Sequence, residues 1–372
     1  PERCAELFKR KECFDVEYFL FDEAQLSDDG SKRGLYFDSI VRRSLKAFPS
    51  AKYVFAHPFV KNPEAQIKKN HFNAQTSLSQ QYIQKSVGQM FICKEDNLFY
   101  HFGIDKAVMG NQKVPGQFDP ILKTIQSGGS VLIYVAKKSI FNKKIITEFK
   151  KYIDLCPEIK DRTALRYIAQ LRQYIGGGYS EGSALYSQML DMMRHGVVIH
   201  HGSLPLQARL IIEEFTKAGY CRICFATSTL EQGINMPFDV VYLHRFEASR
   251  KLALKNLIGR AGRSSQERKF DFGYVVIKKD NLSEFRKIIL SDEEMKEVSA
   301  LEDSEEHDDD YNEFKEAILN DTFSDEYNLT QKEVEALASK NIADIVQNVL
   351  DAMFTGDKLI SLEEINADKQ FK

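Results

Sequence analysis

The sequence predicts an α/β protein built on parallel, doubly wound sheets, and three observations carry that prediction. Short continuous apolar runs alternate with segments whose apolar residues recur at helical spacing. The runs end in polar residues, Pro or Gly, as strands covered on both faces do. No run approaches the roughly 18 to 20 apolar residues of a membrane span. At 372 residues, 43% hydrophobic and 28% charged, the chain has ordinary globular composition and room for two to three domains. Pro1-Glu2-Arg3-Cys4 does not open a secretory signal, and six cysteines are too few for a disulfide framework. An intracellular, cytoplasmic setting with buried, reduced thiols is expected.

Tyr18–Phe21 and Tyr53–Ala56 read as buried strands, with a helix from Gly34 to Ala47 between them. That helix places Leu35, Ile40, Val41 and Leu45 on one side and carries Arg42, Arg43 and Lys46. Phe91–Cys93 and Leu98–Tyr100 flank a polar tetrapeptide and predict a hairpin. From Gly128 the rhythm resumes. Strands are expected at Val131–Val135, Val197–Ile199, Arg222–Ala226, Val240–Leu243 and Gly273–Ile277, with helices within 140–194, 205–218 and Arg250–Ile258. The expected organisation is 1–125 for a first α/β region with an irregular hairpin insert, 126–280 for a second, and 281–372 for an acidic linker with a helical extension.

The net charge of −3 conceals a division: residues 281–372 carry −16 and residues 1–280 carry +13. A basic body points to a polyanionic partner. In the tail, the acidic run Glu302–Asp310 is expected to be solvated and mobile. Residues 329–365 are expected to form two or three amphipathic helices through Val334, Leu337, Ile342, Ile345, Val346, Val349, Leu350 and Met353. Such helices suit a protein partner or a regulatory contact; a solvated linker with a small helical domain accounts for the same pattern.

Three segments carry chemistry. Asp22-Glu23-Ala24-Gln25 follows a strand, where ligands of open α/β sheets bind, and one carboxylate can hold Mg²⁺ while the next deprotonates a water. An acidic turn is the plainer reading of the tetrapeptide alone. Asn256-Leu257-Ile258-Gly259-Arg260-Ala261-Gly262-Arg263 sets two glycine-preceded guanidiniums three residues apart, a fork suited to phosphate. Ala226-Thr227-Ser228-Thr229-Leu230-Glu231-Gln232-Gly233-Ile234-Asn235-Met236-Pro237 offers hydroxyls and a glycine just past a strand, for phosphates or as a helix cap.

Together these segments resemble a superfamily 2 nucleic-acid helicase of the DExH group, with a superkiller-like flavour. Pro1-Glu2-Arg3 resembles the end of motif Ib, Asp22–Gln25 motif II, His200-His201-Gly202 the segment before motif V, Ala226–Pro237 motif V, and Asn256–Arg263 motif VI, in the family's order. The resemblance implies two RecA-like lobes, the first incomplete, with ATP and Mg²⁺ bound between them and single-stranded nucleic acid, DNA or RNA, crossing both. It implies that Asp22 coordinates Mg²⁺, that Glu23 is the general base, and that Arg260 and Arg263 contact the terminal phosphates. Gln25, Gly233, Asn235 and Asn256 would bind nucleotide, and Arg3, Thr227, Thr229 and His201 the nucleic-acid strand. Thr229, Gly233 and Asn235 would couple the two.

The sequence also departs from that pattern. Motif III, Ser-Ala-Thr in the family, aligns with Phe55-Ala56-His57-Pro58; motif II ends in Gln25; motif VI opens with Asn256. No Gly is followed by Lys, so the phosphate loop G-x-x-x-x-G-K-[ST] is not in these residues. The chain is therefore expected to be the C-terminal portion of a helicase whose N-terminal half is its missing partner, with the edges of strand 18–21 exposed. A nucleic-acid-binding module that no longer hydrolyses ATP is the alternative. Cys221 and Cys224 have half a zinc site's spacing but read as buried strand residues, and His57 serves equally as a contact or a strand end.

Overall fold

The computed structural model describes residues 4–28, 30, 32–57, 60–81, 89–102, 107, 112–176, 185–227, 236–262, 273–303, 308–339, 341–355 and 358–359. They fall into two compact units, Tyr82–Asp292 and a unit pairing Pro1–Gln81 with Glu293–Lys372.

The unit 82–292 is built on an eight-stranded sheet. Its strands are β3 (Gln89–Cys93), β4 (Leu98–Tyr100), β5 (Lys113–Pro115), β6 (Val131–Tyr134), β7 (Val197–His200), β8 (Ile223–Ala226), β9 (Val240–Leu243) and β10 (Gly273–Ile277), and their order is β5-β4-β3-β10-β9-β6-β8-β7. The six strands from β3 to β7 in that order run parallel, and β4 and β5 extend the edge antiparallel. Every residue of β6, β7, β8 and β9 is buried, as helices on both faces require. Two of those helices start at capping carboxylates. Asp119 caps Pro120–Gln126 by accepting from the amides of Ile121 and Leu122, and Asp161 caps Arg162–Ile175 through Thr163 and Ala164. The latter helix buries Ala164, Ile168 and Leu171, an i, i+4, i+7 stripe.

The hairpin expected at 91–100 forms, but not in the first region. β3 pairs in parallel with β10, Gln89 opposite Gly273 and Cys93 opposite Ile277, so the boundary expected near 125 moves to 81/82. Periodicity identifies a strand without naming its partner 184 residues away.

The other unit holds β1 (Tyr18–Phe21) and β2 (Lys52–Phe55), a parallel pair with Tyr18 opposite Lys52. Its inner face is aromatic: Phe19 stacks on Tyr53 at 5.4 Å and Phe21 on Phe55 at 5.1 Å, above Phe37 and Phe48. The outer face is open, with Leu20 71% exposed beside Tyr18 and Val54. The expectation that these strands are covered on both faces is therefore corrected within this unit, where the helix Lys32–Ala47, with Phe8, Phe48 and Phe72, packs on the inner face and Leu20 and Val54 stay exposed on the other.

The acidic tail packs against the same helix. Leu35 is buried with Leu301, Tyr311 and Ile318, and Tyr36 stacks on Phe314. Around that apolar contact, Arg42 pairs with Glu302, Arg43 with Asp325 at 2.8 Å, Lys46 with Asp321 at 2.6 Å and Lys32 with Asp308 at 3.3 Å. The Arg43 guanidinium lies 4.3 Å from the Phe8 ring centroid and 4.7 Å from that of Phe323. The acidic run is pinned at both described ends rather than solvated throughout. Glu302 meets Arg42 and His71, whose proximity holds its carboxyl below the usual range despite partial burial, and Asp308 caps the helix Asp309–Leu319.

Helices Gln331–Ala338, closed by a Thr330/Glu333 capping box, and Ile342–Met353 follow, then the hairpin Phe354–Thr355/Lys358–Leu359. Ile345, Val346, Val349, Leu350 and Met353 form an exposed apolar stripe. Among the described residues no helix is long and apolar enough to cross a membrane. Cys93, Cys156, Cys221 and Cys224 are buried, whereas Cys13 is exposed and Cys4 partly so, which corrects the expectation of six buried thiols.

Candidate functional site

The candidate residues fall in two places. In the first unit, β1 delivers the chain into a turn at Asp22-Glu23 that opens directly into a 3-10 helix, Ala24–Asp28. The turn is tied to the tip of β2: the Ala56 amide donates to Phe21 O and the Ala24 amide to Ala56 O, both at 2.9 Å. Glu23 has φ +51°, the left-handed region, which costs a non-glycine residue of order 1–3 kcal/mol and is held only where surroundings over-determine it. Local bonds supply part of that hold, since the Glu23 amide donates to Asp22 Oδ1 at 2.9 Å and the Leu26 amide to Glu23 O at 2.9 Å. Asp22 is exposed, a hard oxygen donor at a strand tip. Mg²⁺ keeps several waters and takes one or two protein carboxylates, so the pair Asp22/Glu23 fits it without a larger acidic cage. No cluster of three or more metal-ligating side chains exists among the described residues.

Gln25 is 3% exposed and its Oε1 has no hydrogen-bond partner. His57, in the place of motif III, has a buried Nε2 with no partner; burial pulls its pKa down, with Asp28 opposing and Lys69 adding to that shift. Lys69 was not anticipated from sequence. It is 1% exposed, donates to Ser27 Oγ at 2.7 Å and pairs with Asp28 beneath the turn. One lysine in the run Ile67-Lys68-Lys69 looks like a solvated charge, and only the packing shows that it faces inward.

In the second unit, three segments predicted to act together are stitched by backbone bonds. The Thr227 amide donates to His200 O at 3.3 Å, tying the start of the 226–237 segment to the tip of β7. Its far end meets the arginine segment: Phe238 bridges Ala261, the Gly262 amide donates to Phe238 O at 2.8 Å, and the Phe238 amide to Arg260 O at 3.4 Å. The helix Lys251–Ile258 carries half-buried Asn256 and closes with the Gly259 amide on Lys255 O. Arg260 follows at 5% exposure. Gly262 has φ +76°, and a Cβ on Gly273 would lie 2.5 Å from Ala261 C and Gly262 N, so both glycines are required for the turn to cross over β10.

His201 is 1% exposed, its Nδ1 accepting from the Ser203 amide at 3.2 Å and its Nε2 without a partner. Burial, then nearby Lys137 and His200, lower its pKa to about 4. The ring is thus enclosed and favoured in its neutral form. Thr227, at 4% exposure, is likewise enclosed. Cys221 and Cys224 are fully buried thiols whose pKa values burial raises, that of Cys221 to about 12. Arg3, Thr229, Gly233, Asn235 and Arg263 lie outside the described residues.

Comparison with known proteins finds helicases similar to this chain. Residues 179–265 match the helicase conserved C-terminal domain. The chain is 24% identical over 266 residues, 67% of its length, to an ATP-dependent DNA helicase Hel308 of Caldivirga maquilingensis, covering 33% of that protein. It is 26% identical over 181 residues to activating signal cointegrator 1 complex subunit 3 of Danio rerio (45% of this chain, 11% of that one). A solved structure of Mycobacterium smegmatis helicase Lhr bound to ssDNA and AMP-PNP matches at 17% identity and a TM-score of 0.47, over 80% of this chain and 34% of that one. The chain thus spans about a third or less of the length of these proteins. The β7, 226–237 and 256–262 segments all fall within residues 179–265, the stretch that matches the helicase conserved C-terminal domain, and the chain is similar to superfamily 2 DExH-type helicases.

Proposed function

We propose that the protein carrying this chain is an ATP-dependent nucleic-acid helicase or translocase of the DExH group. The observation that supports it best is the backbone stitching of Phe238 to Arg260 and Gly262, which joins the end of the 226–237 segment to the arginine turn. In this reading Asp22 holds Mg²⁺, Glu23 takes a proton from the attacking water, and Arg260 and Arg263 bind the terminal phosphates of ATP. Bound Mg²⁺ supplies charge neutralisation on the phosphates. Gln25 and Asn256 serve nucleotide binding, and Gly233 and Asn235, with Thr229, relate it to the strand. The chain's own residues include no Gly-Lys phosphate loop, so ATP hydrolysis is assigned to the whole protein rather than to these residues alone.

The attraction for a single strand falls to residues 82–292, which carry a net +11, against −14 for the remainder. Lys137, Lys138 and Lys144 are exposed there at the end of β6. Hydrolysis of ATP by the protein carrying this chain is expected to be stimulated by single-stranded nucleic acid. Glu23→Gln is expected to slow it by roughly 10² to 10⁴, the size of a general-base contribution, and Arg263→Ala to abolish it. Steady-state turnover measures both, and undiminished turnover in both variants would remove these roles.

A further inference from the structure

We propose that Lys69 is a positioning residue for Glu23, acting through Asp28 and the 3-10 helix that joins them. The proposal rests on the reading of Glu23 as general base. The short helix Ala65–Lys69 grips the 3-10 helix Ala24–Asp28 at both ends. Gln66 Nε2 donates to Ala24 O at 3.4 Å, and Lys69 Nζ, with no side-chain exposure, pairs with Asp28 and donates to Ser27 Oγ at 2.7 Å. Asp28 is also held from the other side, its Oδ2 accepting from the Lys296 amide at 2.7 Å.

Lys69 answers a second carboxylate as well. Its Nζ lies 3.7 Å from Asp38 Oδ2, which accepts from Ser299 Oγ at 2.7 Å and the Ala300 amide at 2.8 Å. One cation with no side-chain exposure thus sits between two acids that three further donors hold, Asp38 buried and Asp28 partly so. Burial raises the Asp38 pKa, with Lys69 and the two donors opposing the rise. A buried ion pair rarely stabilises a fold more than a well-packed apolar side chain would, whereas it fixes one arrangement of its partners and no other. What is fixed here is the far end of a five-residue rod whose near end is Glu23, in a left-handed conformation that its neighbours must impose. Released from Lys69, Asp28 lets the rod rotate and the Glu23 carboxylate lose its aim.

The test uses Lys69→Met, which keeps the stem and removes the charge, and Asp28→Asn, which leaves Lys69 its contact with Asp38. Amide hydrogen exchange at Ala24 and Leu26 is expected to rise at least tenfold in Lys69→Met, and less in Asp28→Asn. The amides of the β1–β2 pair should keep their rates. In the ATPase assay the same variants should lose at least tenfold in kcat with KM for ATP within twofold. Exchange that rises evenly across the unit, or not at all around Glu23, overturns the proposal and leaves Lys69 a general staple of the fold. If the wild-type protein hydrolyses no ATP, the reading of Glu23 as base fails, while the exchange measurement still decides whether Lys69 holds the turn.

Discussion

The two units keep their strands buried by different means. In residues 82–292 the central strands have neighbours on both edges and helices on both faces, and every residue of β6 to β9 is buried. In the other unit two strands share one aromatic face and leave Leu20 and Val54 to solvent. What the second sheet gains from its own strands, the first gains from elsewhere in the chain: residues 295–325 return to seal the helix Lys32–Ala47. That contact also settles the charge. Lys32, Arg42, Arg43 and Lys46 of this helix, which read as part of a basic body, are answered by Asp308, Glu302, Asp325 and Asp321 within the unit. A basic residue in a sequence is an offer to a polyanion only if no acid closer at hand has taken it.

Three substitutions or conditions sharpen this contrast. Phe225→Ala, at a position with no exposure in β8, should cost about 3–5 kcal/mol, read as a lower urea midpoint confined by hydrogen exchange to residues 82–292. Acid should act on the same unit through His201. Its pKa of about 4 in the fold lies below the ordinary 6.5, so the neutral ring's contribution is complete above pH 6.5 and drains away as pH falls toward 4. At about 1.4 kcal/mol per pKa unit the loss is at most about 3 kcal/mol, and His201→Gln should flatten it in urea titrations at pH 7 and pH 5. Arg43→Ala removes two ring contacts and the Asp325 pair, and should cost about 2 kcal/mol in the other unit alone, visible as faster exchange in residues 311–325. A loss spread equally over both units would mean that the tail does not stabilise the unit it packs in.

Much of the fold was legible because local patterns are enough to define it. Val131–Tyr134, Val197–Ile199 and Val240–Leu243 are unbroken apolar runs, and a fully buried parallel strand is the structure that such runs serve. Pairing was less legible. Nothing in Phe91-Ile92-Cys93 says that its neighbour is Val275-Val276-Ile277 rather than Val54, because hydrogen-bond partners far apart in sequence leave no periodic trace. The same holds at the site. Asp22, Glu23 and Arg260 sit where strand tips and a glycine-flanked turn put them, whereas the enclosure of His201 and the inward turn of Lys69 depend on side chains from several elements at once.

Gly273 extends the point to mutational tolerance. Read along the strand, it is an unremarkable opening residue that alanine would seem to improve. In space the backbone of Ala261 and Gly262 lies where its Cβ would be, so the smallest change at 273 displaces the arginine turn, whose Gly262 is eleven residues earlier. In a saturation library of this chain, position 273 should be as intolerant as any charged residue of the site, although it has no side chain with which to take part in the chemistry.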